Sequence, residues 1–277
     1  MPELPEVETI VRGLREKILN KKIIKIDVNY SKTIDTHSAE DFRSILLNSQ
    51  IIDITRRAKY IVFHILNSYS LILHLRMTGK VLIKTKNDIA TKHDHITFHL
   101  ENGTQIFYND TRKFGRFYLT KDKEKILGKL GPEPLGNSFI YAEFSKKLAS
   151  TQRKIKAVLL DQSFIAGLGN IYTDEALWEA RIHPEQPANN ISQSKQKALF
   201  EAIKNVLIKG IENRGTSLGD GQGNYASSGN NRGNNQNTLN VFAKTGKPCP
   251  NCENIIQKIV VTQRGTHFCP MCQKLKK

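Results

Sequence analysis

Cys249-Pro-Asn-Cys252 and Cys269-Pro-Met-Cys272, separated by sixteen residues, contain all four cysteines of this 277-residue chain. Two C-x2-C pairs can place four thiolates tetrahedrally around one Zn²⁺, and a reducing compartment disfavours two disulfides. A pair of redox dithiols is the alternative, and the spacing favours zinc over it. Apolar residues between the pairs suit strands, and Arg264-Gly265-Thr266 suits a turn between them. The stretch therefore predicts a β-hairpin zinc finger with four ligands, Cys249, Cys252, Cys269 and Cys272.

Arg264 lies at the predicted tip of this hairpin. It can meet a phosphate or enter a groove there, although an ordinary solvated arginine fits the tip equally well. Lys and Arg number 42 against 26 Asp and Glu, so the net charge is +16 and the pI is near 9.7. Such a chain favours a polyanionic partner, and no apolar run approaches transmembrane length, so nucleic acid is favoured over a membrane.

The residues before the finger fall into two parts. Eleven of the nineteen residues 219–237 are Gly or Asn, which indicates either an inert linker or a mobile lid, with the linker favoured. Upstream, the run Gly131-Pro-Glu-Pro-Leu-Gly136 breaks the pattern, so a domain boundary is expected near Leu135. Between the two, a helical period predicts four helices, over 139–149, 154–160, 171–180 and 195–211.

The chain before this boundary is rich in short strands separated by turn signals such as Asn102-Gly103. Their number and spacing predict an antiparallel sandwich or barrel. Helices are expected over 38–48 and after the N-terminus, where apolar residues recur at helical spacing from Val7 to Ile18. The expected strands cover 22–30, 51–55, 60–66, 70–77, 80–84, 95–101, 104–109 and 114–119.

The chain begins Met1-Pro-Glu-Leu-Pro-Glu6. Removal of Met1 would leave Pro2 with a free secondary amine, and an α-amino group titrates at about 7.7 to 8.0, so a useful fraction is an uncharged nucleophile. Such an amine can form an iminium, with Glu3 and Glu6 within reach for proton transfer. The alternative is an ordinary helix start, because Pro5 and the acids suit a first turn, and the local residues favour it.

Three segments of the strand-rich half contain residues that a merely positive surface would not need. Lys59 opens a predicted strand, where it can project towards DNA or simply be solvated. Met77 precedes a glycine turn and can fill a core gap or act as a wedge between base pairs. Arg112 and Phe114 would point the same way in an extended chain, which suits a base or phosphate contact beside a stacking contact.

Two further motifs suggest ligands. His93 and His95 would share a face of a strand, but two imidazoles without a third ligand are a weak metal site, so a phosphate contact is favoured. Gly167-Leu-Gly-Asn170 lacks the third glycine and the preceding strand of a dinucleotide fingerprint. Asn170 is instead expected to cap a helix with Asp174 and Glu175 in its first turn, and this start either holds a phosphate or serves only as a cap.

These segments together closely resemble the bacterial formamidopyrimidine-DNA glycosylase family, the 8-oxoguanine repair enzymes, nearly end to end and in order. The resemblance rests on P-E-L-P-E-V-E at the start, then R-R-A-K, H-L-R-M-T-G, K-H-D-H, R-K-F-G and G-L-G-N-I-Y-x-D-E, and Q-R-G-T-H-F-C-P-M-C near the end. It implies a bifunctional glycosylase and AP lyase that acts on damaged double-stranded DNA in a cleft between two lobes. It also implies one structural Zn²⁺, no organic cofactor and a monomer.

The fold class implied is α+β and two-lobed. An N-terminal β-sandwich catalytic domain is expected over 1–134, and a helix-two-turn-helix DNA-binding domain over 135–216. Residues 217–238 become a flexible lesion-recognition loop in place of the linker, and the zinc finger covers 239–273. An acidic N-terminus followed by an amphipathic helix is not a signal peptide, so a cytoplasmic location on nucleoid DNA, without membrane contact, is expected.

The same resemblance assigns roles to residues. Pro2 would be the nucleophile that attacks C1′ of the flipped nucleoside and forms an imine, with Glu3 assisting ring opening and Glu6 supporting it. Lys59 and Arg264 would hold phosphates and assist the β- and δ-elimination that cleaves the strand. The other assignments are the DNA contacts His93, Arg112, Arg153, Lys156 and Asn170, and the gap-filling set Met77, Arg112 and Phe114, with Arg112 facing the orphaned cytosine.

Two alternatives remain open. An endonuclease VIII-like enzyme for oxidised pyrimidines usually opens P-E-G-P-E and lacks the gap-filling set. Leu4 and the three residues Met77, Arg112 and Phe114 therefore count against it. A non-catalytic DNA-binding protein of the same fold would not form a covalent adduct. Lys113 in place of a second arginine and Phe242-Ala243 in place of tyrosine-glycine depart mildly from the family pattern, while the Gly/Asn-rich loop leaves the lesion contacts open. The active species should begin at Pro2.

Overall fold

The computed structural model of the protein describes residues 1–85, 87–217 and 233–276. The chain forms two compact units, one containing Met1–Lys129 with Asn213–Gln236 and the other Leu130–Glu212 with Asn237–Lys277. Residues 218–232, most of the predicted lesion-recognition loop, lie outside the described residues. Each unit combines two segments that are distant in sequence, so this division does not test the four consecutive domains expected from the sequence. Those domains stay a prediction.

The first unit begins with α1 (Leu4–Ile18), as the apolar period predicts. The helix packs its apolar face against the strands that follow Asn48. It ends before Asn20, whose φ of 61° is a left-handed conformation that asparagine tolerates. The buried apolar residues of this face are spaced three or four positions apart: Leu4, Val7, Ile10, Val11, Leu14 and Ile18.

Two four-stranded antiparallel sheets make up most of the first unit. One has the strand order β1-β6-β7-β5 and the other β2-β3-β4-β8, and residues from both contribute to one apolar core. The predicted antiparallel sandwich and its eight strands are confirmed. The strands are β1 (Ile23–Val28), β2 (Ile51–Arg57), β3 (Tyr60–Ile65), β4 (Ser70–His74), β5 (Lys80–Thr85), β6 (Asp94–Leu100), β7 (Thr104–Asn109) and β8 (Arg116–Thr120).

A second helix, α2 (Ala39–Leu46), joins this core through Phe42. The Phe42 ring is fully buried, and its centroid lies 6.1 Å from that of Phe98 and 6.2 Å from that of Phe117. Because these aromatic residues come from α2 and from both sheets, their contacts tie the layers together. The short α3 (Glu124–Leu127) and the 3-10 turn Ser31–Thr33 have no counterpart in the predicted elements.

The second unit contains the four predicted helices. They are α4 (Tyr141–Ala149), α5 (Ile155–Leu160), α6 (Asn170–Glu179) and α7 (Gln193–Glu212), and a 3-10 turn covers Ala188–Asn190. A further 3-10 turn, Asn235–Asn237, spans the junction of the two units in sequence. In the described ranges, the model contains no helix with both the length and the apolar character needed to cross a membrane.

The second unit ends in a β-hairpin, in which β9 (Gln257–Val261) pairs antiparallel with β10 (Arg264–Phe268). The turn is Thr262-Gln263, with φ values of 47° and 60°, so the predicted turn at Arg264-Gly265-Thr266 was wrong. A two-residue hairpin turn of this kind requires left-handed backbone, which Gly or Asn usually signals and Thr and Gln do not. Arg264 consequently opens β10 directly beside the tip.

Candidate active site and nucleic-acid interface

The start of α1 positions Pro2 and Glu3. Glu3 has extended backbone, and its amide donates to the Glu6 carboxylate at 2.8 Å, while the Glu6 amide donates to the Glu3 side chain. This reciprocal capping fixes both acids against the first turn, where Pro5 is well accommodated. Pro2, Glu3 and Glu6 are all buried. The two interpretations of the N-terminus are therefore compatible, because the capping that starts the helix also fixes the residue next to Pro2.

Glu6 also bonds to a segment distant in sequence. One of its carboxylate oxygens accepts from the Thr216 amide at 2.8 Å, and Gly215 beside it has φ of 77°. A side chain at Gly215 would lie 3.0 Å from Glu6 Cγ, so glycine permits this close approach. The Glu6 carboxylate thus fixes the start of α1 to the chain that follows α7, within the first unit.

Lys59 lies in the two-residue turn between β2 and β3 rather than in a strand, because Ala58 adopts a φ of 53° and β3 begins at Tyr60. The predicted strand position of Lys59 was therefore wrong. Its side chain is only 5% exposed. A buried lysine at a turn is held far more tightly than a solvated one.

His74, at the end of β4, is a neighbour of Lys59 that the sequence did not single out. Burial, followed by the charges of Arg76 and Lys59, lowers the pKa of His74 to about 3. The imidazole is therefore neutral at physiological pH. Its Nδ1 accepts from the Arg76 amide at 3.0 Å, and its ring meets that of Tyr60 edge-on. Arg76 itself has φ of 54°, so His74 orients the turn that leads to Met77.

Met77, Arg112 and Phe114 meet on the first unit. Arg112 Nη1 donates to the Met77 sulfur at 3.2 Å, and its guanidinium lies 4.5 Å from the centroid of the Phe114 ring. Met77 is 36% exposed and Phe114 45% exposed, so both apolar groups are open to solvent. The residues do not lie in an extended chain as expected, because Lys113 has φ of 59° and β8 begins only at Arg116.

Asp110 holds this turn in place. Its carboxylate is fully buried, and burial raises its pKa, but the hydrogen bonds that it accepts outweigh burial and hold that pKa below its usual range. An aspartate at the end of a strand, four or five residues before a glycine, was a usable turn signal that the sequence analysis missed. The donors are the amides of Arg112 (3.1 Å), Phe114 (2.9 Å) and Gly115 (2.9 Å), the Tyr108 hydroxyl (3.0 Å) and the Thr78 hydroxyl.

His93 and His95 have different environments. His95 is buried in β6, and its Nε2 lies 2.6 Å from the Asp110 carbonyl oxygen. His93 is half-buried just before β6, and its carbonyl accepts from the Asp110 amide at 3.0 Å. The described residues contain no metal-ligand group that includes either histidine. Both instead support the Asp110 turn.

In the second unit, the start of α6 contacts the hairpin. Asn170 is the first residue of α6 and Gly169 is the cap, so the expected capping role of Asn170 was wrong. Its amide group instead donates to the Gly265 carbonyl at 2.8 Å. Lys156, from α5, is fully buried, and its ammonium donates to the same carbonyl at 3.4 Å and to Asp174 at 2.5 Å. Both side chains act on the residue that follows Arg264.

Two carboxylates in the second turn of α6 anchor the C-terminal segment. Asp174 accepts from the His267 amide at 2.9 Å, and Glu175 accepts from the amides of Asn240, Val241 and Phe242 at 2.8 to 2.9 Å. These contacts fix the approach to the finger and β10 on one helix. The predicted position of the two acids in the first turn was wrong, because the helix begins at Asn170.

The two remaining predicted contact residues are exposed. Arg264 opens β10 with its side chain in solvent. Arg153 lies before α5, and its guanidinium pairs with Asp161 at 2.9 Å. An exposed pair of this kind is weak, so Arg153 can exchange its partner for another anion.

The four cysteines form one cluster in the second unit. All four sulfur atoms lie within 4.8 Å of one another. A tetrahedral Zn²⁺ with bonds of about 2.3 Å requires sulfur separations of roughly 3.8 Å, so the set fits one zinc ion. Trp178 donates to the Cys249 sulfur at 3.4 Å and Asn251 to the Cys272 sulfur at 3.3 Å, which suits thiolate ligands.

Family models match three consecutive parts of the chain. These are the formamidopyrimidine-DNA glycosylase N-terminal domain over residues 1–117, the formamidopyrimidine-DNA glycosylase H2TH domain over 130–221, and the zinc finger found in FPG and IleRS over 246–275. A β-sandwich, a helical H2TH region and a four-cysteine hairpin, in this order, define a DNA glycosylase of the zinc-finger class.

Individual relatives give the same result over the whole chain. The formamidopyrimidine-DNA glycosylase of Protochlamydia amoebophila is 48% identical over 275 residues, which cover 99% of this chain and 100% of the relative. A Lactococcus lactis FPG mutant in complex with Fapy-dG containing DNA has a TM-score of 0.92 at 42% identity, over 99% of this chain and 100% of that one. MutM in complex with carbocyclic 8-oxo-G containing DNA has a TM-score of 0.90 at 42% identity and the same coverage. The chain belongs to the formamidopyrimidine-DNA glycosylase family.

The Asp110 carboxylate should be indispensable to the turn that presents Arg112 and Phe114. We expect Asp110→Asn to lower the free energy of unfolding by about 2 to 4 kcal/mol, because the amide group loses the charge that strengthens several hydrogen bonds. Urea unfolding measures the change, with the exposed turn residue Asp88→Asn as a control. The folded-state pKa of Asp110 is depressed, so its contribution is present at neutral pH and should fade as the pH falls below about 4. A difference that persists undiminished at pH 3 would contradict this account.

Two ion pairs of equal length allow the effect of burial on stability to be measured. Lys156 pairs with Asp174 and Lys154 with Glu185, both at 2.5 Å, but the first pair is fully buried and the second is exposed. We expect Lys156→Met to destabilise the protein by about 3 to 5 kcal/mol, since it leaves a buried carboxylate without its cation. Lys154→Met should cost about 1 kcal/mol or less. Equal midpoints for the two variants in guanidinium unfolding would show that the buried pair adds nothing.

Proposed function

We propose that this protein is a bifunctional DNA repair enzyme that excises 8-oxoguanine and formamidopyrimidines from double-stranded DNA and then cleaves the strand at the abasic site. The observation that carries the proposal is the reciprocal capping at the start of α1, which holds Pro2 next to a buried Glu3. The capping accounts for the buried Glu3 but gives no role to a proline at position 2. A reaction at the N-terminal amine gives both a role, Pro2 as the nucleophile and Glu3 as the proton donor.

The chemistry follows from that pair. Once Met1 is removed, the Pro2 nitrogen attacks C1′ of the extruded nucleoside, the bond from C1′ to the damaged base breaks, and the base leaves with a proton. Glu3 protonates the ring oxygen as the sugar opens, so that Pro2 and C1′ form an iminium. Successive β- and δ-elimination of the two phosphates then cleaves the strand. Water finally hydrolyses the iminium between Pro2 and the sugar fragment, which restores the free amine and releases the protein.

Lys59 and Arg264 bind phosphates around the lesion in this proposal. The 5% exposure of Lys59 favours a fixed ammonium, and the exposure of Arg264 leaves its guanidinium open to a bidentate phosphate contact. His93 and Arg153 add backbone contacts. Asn170 and Lys156 support the interface through the Gly265 carbonyl, since Lys156 is fully buried and already bonded to Asp174.

Met77, Arg112 and Phe114 occupy the gap that the extruded nucleotide leaves. Their mutual contacts form one exposed group, with a cation between a thioether and an aromatic ring. Extruding a base costs a few kcal/mol, and an inserted wedge with a hydrogen-bonding arginine offsets that cost. Arg112 is placed in this group to bond to the orphaned cytosine, which favours purine lesions over oxidised pyrimidines.

The loop over 217–238 is proposed to contact the damaged base. Its first residues follow Thr216, which is bonded to Glu6, so the loop and the start of α1 share one support. The zinc ion is proposed to be structural, and the protein to act as a monomer on nucleoid DNA in the bacterial cytoplasm.

Covalent trapping tests the proposal directly. We expect borohydride to trap an adduct with a duplex that contains 8-oxoguanine opposite cytosine, because reduction fixes the iminium at Pro2. A matched duplex with thymine glycol should give little adduct. Trapping with thymine glycol alone would support the pyrimidine enzyme, and binding without any trapping would support the non-catalytic protein.

A chain with a blocked N-terminus tests whether Pro2 is the nucleophile. A chain with an uncleaved N-terminal tag keeps every side chain but holds the Pro2 nitrogen in a peptide bond, so it should bind DNA and trap nothing. Pro2→Gly with an intact fold should lose most of the trapping. Normal trapping by the tagged chain would identify another amine as the nucleophile.

Removal of zinc should disorder the hairpin. The buried residues around the cysteine cluster are few, Val241 and Ile256 besides Cys249 and Cys269, so the hairpin depends on its metal. We expect a zinc chelator to abolish the chemical-shift dispersion of β9 and β10 and to weaken DNA binding, with recovery on adding zinc back. Unchanged DNA affinity in metal-free protein would refute the structural role.

A further inference from the structure

A cleft in the second unit is lined by several cations, and its lining contains no carboxylate among the residues that the structure describes. It lies among the residues that follow α6, the start of α7 and the C-terminal residues, and it has a volume of about 60 Å³. Its lining residues include four cations, Arg181, Lys195, Lys274 and Lys276. Like charges repel across such a cleft, so it is complementary to an anion.

Hydrogen bonds hold the side chains of two of the cations and the backbone of a third. Lys195 donates to the carbonyl of Ala180 at 2.9 Å, and Arg181 donates to Asn251 at 3.1 Å. Gln186, which is 5% exposed, accepts from the Lys276 amide at 2.9 Å and donates to the Lys276 carbonyl at 3.2 Å. The wall that carries Lys276 is therefore built into the fold and does not depend on a free tail.

The positive charge of the cleft is not neutralised by the protein around it. Within the described ranges, none of the four cations forms an ion pair. Burial, then the charges of Arg181 and Lys276, lowers the pKa of Lys195. The two neighbours therefore act on Lys195 across the cleft, and a bound anion would relieve the repulsion among them.

We propose that this cleft binds a phosphate group. Three lysines and one arginine offer charged donors from several directions, which suits the oxygens of a phosphate better than a flat aromatic ligand. The small volume of the cleft suits a compact tetrahedral anion.

The cleft is separate from the interface proposed above. Lys195 bonds to Ala180 at the end of α6, whereas Asn170 is at the beginning of the same helix. Ten helical residues at 1.5 Å each place these ends about 15 Å apart. The phosphate can come from the backbone of bound DNA, as an additional contact, or from free phosphate in solution.

Titration of the zinc-loaded full chain with inorganic phosphate tests the proposal. We expect saturable chemical-shift changes at the amides of Arg181, Lys195 and Lys276, with no response to chloride at equal ionic strength. The variant Lys195→Ala/Lys276→Ala should bind phosphate at least tenfold more weakly. Lys146→Ala/Lys147→Ala removes the same charge from exposed positions of α4 and should bind normally.

Two results would overturn the proposal: no saturable response in the wild-type chain, or an equal loss of affinity in both double variants. If Lys195→Ala/Lys276→Ala does not fold, the exposed Lys274→Ala replaces it and should weaken binding several-fold, with unchanged affinity overturning the proposal. The salt dependence of DNA binding separates the sources. A slope of log K against log salt reduced by about 0.9 per lost phosphate contact identifies DNA, and an unchanged slope with lost phosphate binding identifies the free anion.

Discussion

The second unit depends on two adjacent carboxylates, Asp174 and Glu175, in the middle of α6. Each accepts backbone amides from the C-terminal segment, Asp174 at β10 and Glu175 at the residues that lead into the zinc finger. A carboxylate can accept several consecutive amides only where the backbone curves around it. The bonds to Glu175 therefore fix the path of the chain at residues 240–242. Together with the bonds that Asn170 and Lys156 donate to the Gly265 carbonyl, these bonds join the hairpin to the helices.

The first unit uses the same device at Asp110 and Glu6. Asp110 gathers the amides of a turn, and Glu6 joins the start of α1 to the segment that follows α7. In a chain with 26 acidic residues against 42 basic ones, these carboxylates are inside and bonded to backbone. The acidic and basic side chains therefore have different roles in the fold. Buried acids position the chain, and the exposed cations stay available for a polyanion.

Much of this organisation could be predicted from the sequence, because it depends on local patterns. Short runs between turn signals predicted the eight strands, helical spacing predicted α1 and the four helices of the second unit, and the two C-x2-C pairs predicted the four-cysteine cluster. The errors have two causes. Thr262-Gln263 forms a two-residue turn with left-handed backbone, and neither residue type signals that conformation. The bond from Asn170 to Gly265 joins residues 95 positions apart, which no local pattern encodes. At Ala243 the sequence did indicate an unusual position, because the family pattern has glycine there. Ala243 has φ of 59°, a left-handed conformation that favours glycine.

The two ends of the undescribed segment lie side by side. The Gly233 amide donates to the Ser217 hydroxyl at 3.0 Å, and the Asn235 side chain donates to the Thr216 hydroxyl at 3.0 Å, so the residues on either side of the segment are in contact. A segment closed at such a base can lengthen or shorten with little effect on the fold, since each doubling of a loop costs only about 0.6 kcal/mol. Divergence between related enzymes can therefore concentrate in this segment. Glu6 accepts from the Thr216 amide beside this base, so the start of α1 keeps its position when the length of the segment changes.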